Sequence, residues 1–318
     1  MKAAIRRIYG GPEQISVEEI NLPDIHDDEV LIRVHAATVN RTDCANLTAK
    51  PFIMRLILGL SKPRKVIMGT DFAGEIVQIG NTVTKFKKGN NVFGFTDIGS
   101  ESQSEYMKAN VKDVFSIPDG VGLKVAAASL EGAHYAYTFI HKVNIEPGQK
   151  VFINGATGAI GSALLQFVRQ YDVKITATCN TKNIGLIKSL GADKIYDYTK
   201  EDFTTDTESY DFIFDAVGKS TFGKCKPLLK KKGVYISSEL GPYSQNIFYA
   251  LFSFLKSKKV IFPIPYDKQK TIPYLSNLLK SGTFKPVIDQ EFTLDDIAKA
   301  YDFVMTGEKT GNVVVEVV

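Results

Sequence analysis

A glycine-spaced turn joining a short apolar run to a helical pattern constrains this chain more than any other feature. The run is Lys150-Val-Phe-Ile-Asn154, the turn Gly155-Ala-Thr-Gly158-Ala-Ile-Gly161, and the helical pattern Ser162-Ala-Leu-Leu-Gln-Phe-Val-Arg169. Gly158 is expected to permit the tight turn, and Gly161 to let the helix pack close to the strand. The helix then aims free N–H groups and the positive end of its dipole at an anion, and a pyrophosphate fits that description. The spacing departs from Gly-x-Gly-x-x-Gly, and glycine triples arise by chance, so context decides its weight.

The context is an alternation that begins near Leu123. Candidate strands are Lys150 to Asn154, Lys174 to Cys179, Lys194 to Tyr198, Tyr210 to Val217, Gly233 to Glu239 and Lys259 to Ile264. Helical patterns such as Lys182 to Leu190 and Thr221 to Leu229 separate them. Strands separated for the most part by helical patterns predict an α/β fold with a doubly wound parallel sheet. The first ~120 residues differ. Glu29 to His35, Phe72 to Gly80 and Lys88 to Gly94 read as strands with Gly/Asn turns, predicting a β-rich, barrel-like domain. Residues 46–66 are irregular and partly apolar, and are expected to form a lid or pocket wall. Near the C-terminus two amphipathic helices precede a strand at Asn312 to Val318, and Thr293 with Asp296 predicts a capping box ahead of Ile297 to Tyr301.

Several classes are set aside by composition. With 318 residues, 44% hydrophobic and 23% charged, the chain has the makings of a two-domain globular protein. A net charge of +4 from dispersed Lys and Arg does not make a nucleic-acid footprint, and Lys230 to Lys232 is expected to be a solvated helix end. No apolar signal core follows Met1-Lys-Ala-Ala-Ile-Arg-Arg7, and the most apolar windows, Phe52 to Leu60 and Ile247 to Leu255, are well short of the ~20 residues that span a bilayer. No membrane partner and a cytoplasmic location are the expectations. Cys44, Cys179 and Cys225 form no Cys-x-x-Cys pair, so no disulfide framework or structural zinc site is predicted.

The second strand of the alternation bears on the ligand. An NAD-selective site places Asp or Glu about 20 residues past the turn, to accept from the ribose hydroxyls. Here that strand ends in Cys179-Asn-Thr-Lys182. Without a carboxylate to repel a 2′-phosphate, and with Lys182 able to pair with one, NADP(H) is favoured over NAD(H).

These residues, taken with others spread over nearly the whole chain, resemble the medium-chain dehydrogenase/reductase superfamily, and within it the zinc-independent quinone oxidoreductase and enoyl reductase branch. The resemblance is carried by Met1-Lys-Ala-Ala4, Val39-Asn-Arg-Thr-Asp43, Gly69-Thr-Asp-Phe-Ala-Gly-Glu75, Val92-Phe-Gly94 and Ile145-Glu-Pro-Gly-Gln-Lys-Val151. It continues through the glycine turn, Leu190-Gly-Ala-Asp193, Asp215-Ala-Val-Gly218 and Gly311-Asn-Val-Val314. It implies a discontinuous GroES-like catalytic domain, 1–122 with 266–318, and an inserted NADP-binding Rossmann domain, 123–265, with the active cleft between them. Zinc-dependent relatives carry Cys where Asn40 stands, His where Thr70 stands and a third ligand near Glu131. Asn and Thr are poor zinc ligands, so no metal is expected, and a zinc label on this chain would be inherited from the superfamily.

The resemblance also implies residue roles. Thr157, Gly158, Ala159 and Ile160 would meet the pyrophosphate; Asn180, Lys182 and Tyr198 the 2′-phosphate. Ala216, Val217 and Gly218 would line the path from adenosine to nicotinamide, Ser238, Glu239 and Leu240 would approach the nicotinamide, and Asn312 would be a polar cofactor contact. Asn40, Tyr135 and Asp43 are the catalytic candidates. Tyr135 replaces a threonine of relatives and is either a donor to a substrate carbonyl or core packing; Asp43 alternatively anchors its loop through backbone N–H groups. His134 is expected to be structural, and Tyr243 to close one wall of the cleft. The activity implied is hydride transfer from NADPH to a quinone or an α,β-unsaturated carbonyl. Rivals are an alcohol or aldehyde oxidoreductase and a non-catalytic NADPH-binding protein. A homodimer is expected, with Lys259 to Ile264 as a sheet edge able to pair with its copy.

Overall fold

The computed structural model describes residues 1–238, 241, 245–252, 257–264 and 266–318, with backbone alone at 247 and 252. Contacts divide them into two compact units, Met1–Glu131 with Ile272–Val318, and Gly132–Thr271. Both divisions fall later in the chain than the boundaries expected after residues 122 and 265. Helix Leu123–Ala128 packs on the strands of the first unit, so it belongs there. At the other junction, Tyr266 stays with the second unit: its hydroxyl donates to the His141 carbonyl at 3.0 Å.

The first unit opens with an antiparallel ribbon of β1 (Lys2–Ile5) and β2 (Ser16–Glu19). Then come β3 (Glu29–Val39), β4 (Asp71–Ile79), β5 (Asn91–Phe95), β6 (Tyr106–Asn110) and β7 (Phe115–Ser116). β3 runs four residues past the alternating stretch read from sequence, because Ala36 to Val39 pair with two neighbouring strands. Val30, Ile32 and Val34 enter one core with Phe72, Ile76 and Val92, while Ala37 and Val39 enter another.

The second unit is a six-stranded sheet of β8 (Lys150–Asn154), β9 (Lys174–Cys179), β10 (Lys194–Asp197), β11 (Tyr210–Asp215), β12 (Leu229–Ser237) and β13 (Lys259–Ile261). Its order is β10-β9-β8-β11-β12-β13, with every pairing parallel. Winding outward in both directions from β8 and β11 is the doubly wound plan, and it creates a switch point between those two strands. β11 stops before Val217 because the Asp215 carboxylate accepts the N–H groups of Val217 and Gly218, at 3.3 and 3.0 Å, and removes them from the ladder. Lys230 to Lys232 is not a helix end. It lies within β12, where Lys230 pairs with Asp211 at 2.7 Å and Lys232 adopts a positive φ of 70°.

The chain returns to the first unit through helix Lys268–Lys280, β14 (Ile288–Thr293), helix Ile297–Thr306 and β15 (Asn312–Glu316). The sheet order there is β14-β15-β3-β4-β5-β7, with β6 on β3. Tyr301 and Ile297 from the last helix fill the core beneath β15. The capping box expected there does not form: the Thr293 hydroxyl donates to the Asp296 carboxylate at 3.3 Å and caps no backbone N–H. A single 3-10 turn, Leu294–Asp296, separates Thr293 from the helix and shifts the register of the motif.

Candidate functional site

The carboxyl ends of the parallel strands gather most of the expected cofactor residues. After β8, Gly155 takes φ 78°, a conformation that favours glycine, and an added Cβ would lie 2.6 Å from the Cβ of Val217. The tight turn is therefore made by Gly155, and not by Gly158 as expected. Gly158 has an ordinary φ of −71° and caps helix Ala159–Val168 without any side-chain hydrogen bond. A Cβ on Gly158 would meet only the Gly155 carbonyl, at 3.9 Å. Neither strain nor packing asks for glycine there, and the helix end it caps is left open, as a site for an anion would be. Gly161 has the expected role: its Cβ would sit 2.1 Å from the Gly155 carbonyl oxygen.

Three buried polar residues hold this end of the sheet together, and none of them was singled out from sequence. Asn154 donates from Nδ2 to Asp215 at 3.0 Å and accepts from the Thr178 hydroxyl at 2.8 Å. Thr178 Oγ1 in turn accepts the Gly155 N–H at 2.8 Å, and Asp215 accepts the Tyr235 hydroxyl at 2.7 Å. One network thus fixes the turn after β8 relative to the Ala216–Val217–Gly218 loop after β11, at the switch point. Gly132 also matters, because a Cβ there would lie 2.7 Å from the Cβ of Ala159, the first residue of the helix after the glycine turn. The legible signals were a polar residue ending an apolar strand and a glycine early in a helical pattern.

Asn180, Lys182 and Tyr198 come together at the ends of β9 and β10. The Tyr198 N–H donates to the Cys179 carbonyl at 3.0 Å, Lys182 is exposed, and the Tyr198 ring is about half exposed. Asn180 accepts from Asn183 Nδ2 at 2.8 Å. A nearby carboxylate went unnoticed in the sequence: Asp197 ends β10 beside Cys179. It accepts from the Thr181 hydroxyl, from the Thr199 hydroxyl at 2.6 Å and from the Thr199 N–H at 3.0 Å, and those bonds, Thr181's foremost, hold it down at about 2. Its oxygens are committed to the protein. At the end of β12, the buried Ser238 Oγ has no hydrogen-bond partner among the described residues. Glu239, Leu240 and Tyr243 lie outside the described residues. An open glycine at an uncapped helix end, a basic side chain and an orphaned hydroxyl fit an NADP(H) dinucleotide.

Tyr135 and His134 lie on helix Glu131–His141, with their rings edge to face at 5.9 Å. Burial pushes His134 down to about 4, and the Lys268 charge adds to this, so the imidazole is neutral near pH 7.

In the first unit, Asn40 caps helix Arg41–Thr48, and Asn40 and Asp43 form a reciprocal capping box. Asn40 Oδ1 accepts the Asp43 N–H at 2.8 Å, and Asp43 Oδ2 accepts the Asn40 N–H at 3.0 Å. Asn40 Nδ2 donates to Thr70 Oγ1 at 2.8 Å and to Asp71 Oδ2 at 3.1 Å, while the Thr70 hydroxyl donates to Asp43 at 3.2 Å and the Thr38 hydroxyl to Asp71 at 2.6 Å. Glu131 accepts from Thr42 at 2.6 Å. Burial pushes the Asp43 carboxyl up to about 8, against the opposing Asn40 N–H bond, and Asp71 goes well above its usual range for the same reason. Asp71 Oδ1 is buried with no hydrogen-bond partner among the described residues. Asn312, also in this unit, commits both its N–H and its Nδ2 to the Val287 carbonyl, at 2.8 and 3.0 Å.

A metal does not fit this donor set. The Asn40 amide nitrogen faces Thr70 and Asp71, its oxygen is taken by a backbone N–H, and the Thr70 hydroxyl is spent on Asp43. An amide and a hydroxyl already bonded to neighbours cannot replace thiolate and imidazole. Among the described residues, no group of three His, Cys, Asp or Glu side chains is arranged to hold an ion.

Comparison with known proteins gives the family. Residues 26–147 match the alcohol dehydrogenase GroES-like domain, and residues 190–315 match the zinc-binding dehydrogenase family. A chloroplastic quinone-oxidoreductase of Triphysaria versicolor is 30% identical over 325 residues, covering 96% of this chain and 95% of its own. The 2-methylene-furan-3-one reductase of Solanum lycopersicum is 29% identical over 331 residues, covering 99% of this chain and 79% of its own. Among solved structures, the quinone oxidoreductase from Coxiella burnetii superposes with a TM-score of 0.88 at 22% identity, covering 100% and 99% of the two chains. The Escherichia coli quinone oxidoreductase complexed with NADPH superposes at 0.86 with 20% identity, covering 100% of both. The chain belongs to the medium-chain dehydrogenase/reductase superfamily, in its zinc-independent quinone oxidoreductase and enoyl reductase branch.

Proposed function

We propose that this protein is an NADPH-dependent oxidoreductase that passes hydride to a quinone or an α,β-unsaturated carbonyl without a metal. The observation that carries the proposal is the Asn40 network, in which amide and hydroxyl groups stand hydrogen-bonded where zinc-dependent relatives place metal ligands. Without a metal, alcohol oxidation at this site would lack the Lewis acid with which zinc-dependent relatives stabilise the alkoxide. Reduction of a quinone or enone places negative charge on a carbonyl oxygen already polarised by conjugation, and hydrogen-bond donors are sufficient for it.

The bound nucleotide supplies the hydride. The chain supplies its grip: the N-terminus of helix Ala159–Val168 for the pyrophosphate, Lys182 with Asn180 and Tyr198 for the 2′-phosphate, and the Ala216–Gly218 loop for the path toward the nicotinamide. Two relatives support the choice of acceptor by their names, the furanone reductase above and an NADPH-dependent alkenal/one oxidoreductase of Arabidopsis thaliana. A homodimer formed through the β13 edge belongs to the same reading. So does a cytoplasmic location, although several plant relatives are chloroplastic by name and the described residues show only that no helix is long and apolar enough to cross a membrane. Steady-state assays with NADPH against a panel of quinones and enones test the function. Turnover is expected with at least one class; none, together with zinc-dependent alcohol oxidation, overturns it.

A further inference from the structure

The segment between Cys44 and Thr70 is unlike the rest of the surface. It contains five basic residues, Lys50, Arg55, Lys62, Arg64 and Lys65, and no acidic one. The whole chain carries +4, so everything outside this segment sums to 4 − 5 = −1. Interleaved with these charges, Phe52, Ile53, Leu56, Ile57 and Leu60 are each more than half exposed, and Val66 is exposed beside them. None of the five basic side chains lies within ion-pair distance of a carboxylate among the described residues.

The segment is built, not loose. Leu58 and Pro63 are buried, the Tyr9 hydroxyl donates to the Gly59 carbonyl at 2.7 Å, and the Arg6 N–H donates to the Val66 carbonyl at 2.9 Å. The Arg55 guanidinium lies over the rings of Tyr9 and Phe52, at 5.0 and 5.5 Å. This anchoring holds helix Met54–Leu58 and its flanks in place and leaves those five apolar side chains exposed.

We propose that this face docks on an anionic lipid bilayer, with Phe52, Ile53, Leu56, Ile57 and Leu60 entering the headgroup region and the lysines and arginines meeting lipid phosphates. Exposed apolar side chains flanked by a cluster of like positive charge are the combination such an interface rewards. A second copy of the chain suits the face poorly, because a two-fold contact would set the same five positive charges against themselves. The docking is peripheral and independent of which acceptor the protein reduces. It runs against the expectation, read from the sequence, of no membrane partner.

Flotation of the full chain with phosphatidylcholine vesicles, with and without phosphatidylglycerol, tests the proposal. The protein is expected to float with the phosphatidylglycerol vesicles at low salt and to be released by high salt. Lys50→Gln with Lys62→Gln, at two exposed positions, should weaken partitioning roughly 30-fold. Leu56→Ser with Ile57→Ser should weaken it roughly tenfold or more. Both variants should keep the thermal midpoint of the parent, which shows that folding is intact. The proposal is overturned if neither vesicle type carries the protein, if both carry it equally, or if correctly folded variants float like the parent. It is equally overturned if the serine variant abolishes self-association in light scattering while no vesicle binding is seen, since the face would then join copies of the chain.

Discussion

Gly158 and Gly161 stand three residues apart and fail in opposite ways when changed. Gly161→Ala forces a Cβ to within 2.1 Å of the Gly155 carbonyl oxygen, and the strand and helix must separate. Its predicted cost is about 1–3 kcal/mol of stability, measured by denaturant unfolding. Gly158→Ala puts its Cβ 3.9 Å from the Gly155 carbonyl at an ordinary φ, so the fold should lose no more than the N-cap preference, about 1 kcal/mol. Its side chain instead occupies the approach to the helix end, and NADPH affinity by calorimetry should fall roughly tenfold or more. Asp43 supplies a second test. Its folded value of about 8 lies above its ordinary 3.8, so the native state holds a proton that the unfolded chain releases. That contribution to stability is complete below about 3.8 and disappears as the pH rises through about 8. His134, lowered from 6.5 to about 4, acts in the opposite sense below 6.5, so the net decline is read between about 6.5 and 8. Asp71 adds to it with the same sign. Asp43→Asn should reduce the fall of the unfolding midpoint across that window to the part that Asp71 contributes, and an unchanged slope would show that Asp43 is not a titrating group there. These details were only partly legible. The glycine spacing announced a turn, but Gly155 also has to stay bare because Val217, some sixty positions away, packs against it, and spacing cannot encode that.

At the scale of elements, the strands of the parallel sheet could be read closely because each is a short apolar run bounded by turn residues. β8 and β9 begin and end at the residues their patterns indicate. Errors gathered where a side chain overrode the pattern: Asp215 ends β11 early, and Lys230 to Lys232 join a strand because Lys230 finds Asp211. Polar residues ending apolar strands were legible at Asn154 and Asp215, but their bonding through Thr178 was not, since it joins three strands whose spatial order appears only once the sheet has formed. The meeting of the β9 and β10 ends predicts cofactor choice. Lys182→Glu should raise the KM for NADPH roughly 10- to 100-fold and leave NADH nearly unaffected, because only the 2′-phosphate distinguishes them. Equal losses for both nucleotides would place Lys182 elsewhere in the site. The β13 edge predicts assembly: light scattering at micromolar concentration should give a dimer, and a monomer would remove that strand from any interface.

For the molecule as a whole, the proposed chemistry is divided between the two units. The parallel sheet presents a helix end without a side-chain cap at its switch point, and the mixed sheet carries a buried polar network built on Asn40. The fold class was legible in the alternation of elements. The unit boundaries were less so, because helix Leu123–Ala128 reads as the start of the second unit yet packs on the strands of the first. The central claim is that hydride transfer here uses NADPH and needs no metal. Steady-state oxidation of NADPH by a quinone or enone, before and after exhaustive chelation, tests it most directly. The prediction is an unchanged kcat after chelation, with NADH a far poorer donor; activity abolished by chelation and restored by zinc would contradict the account.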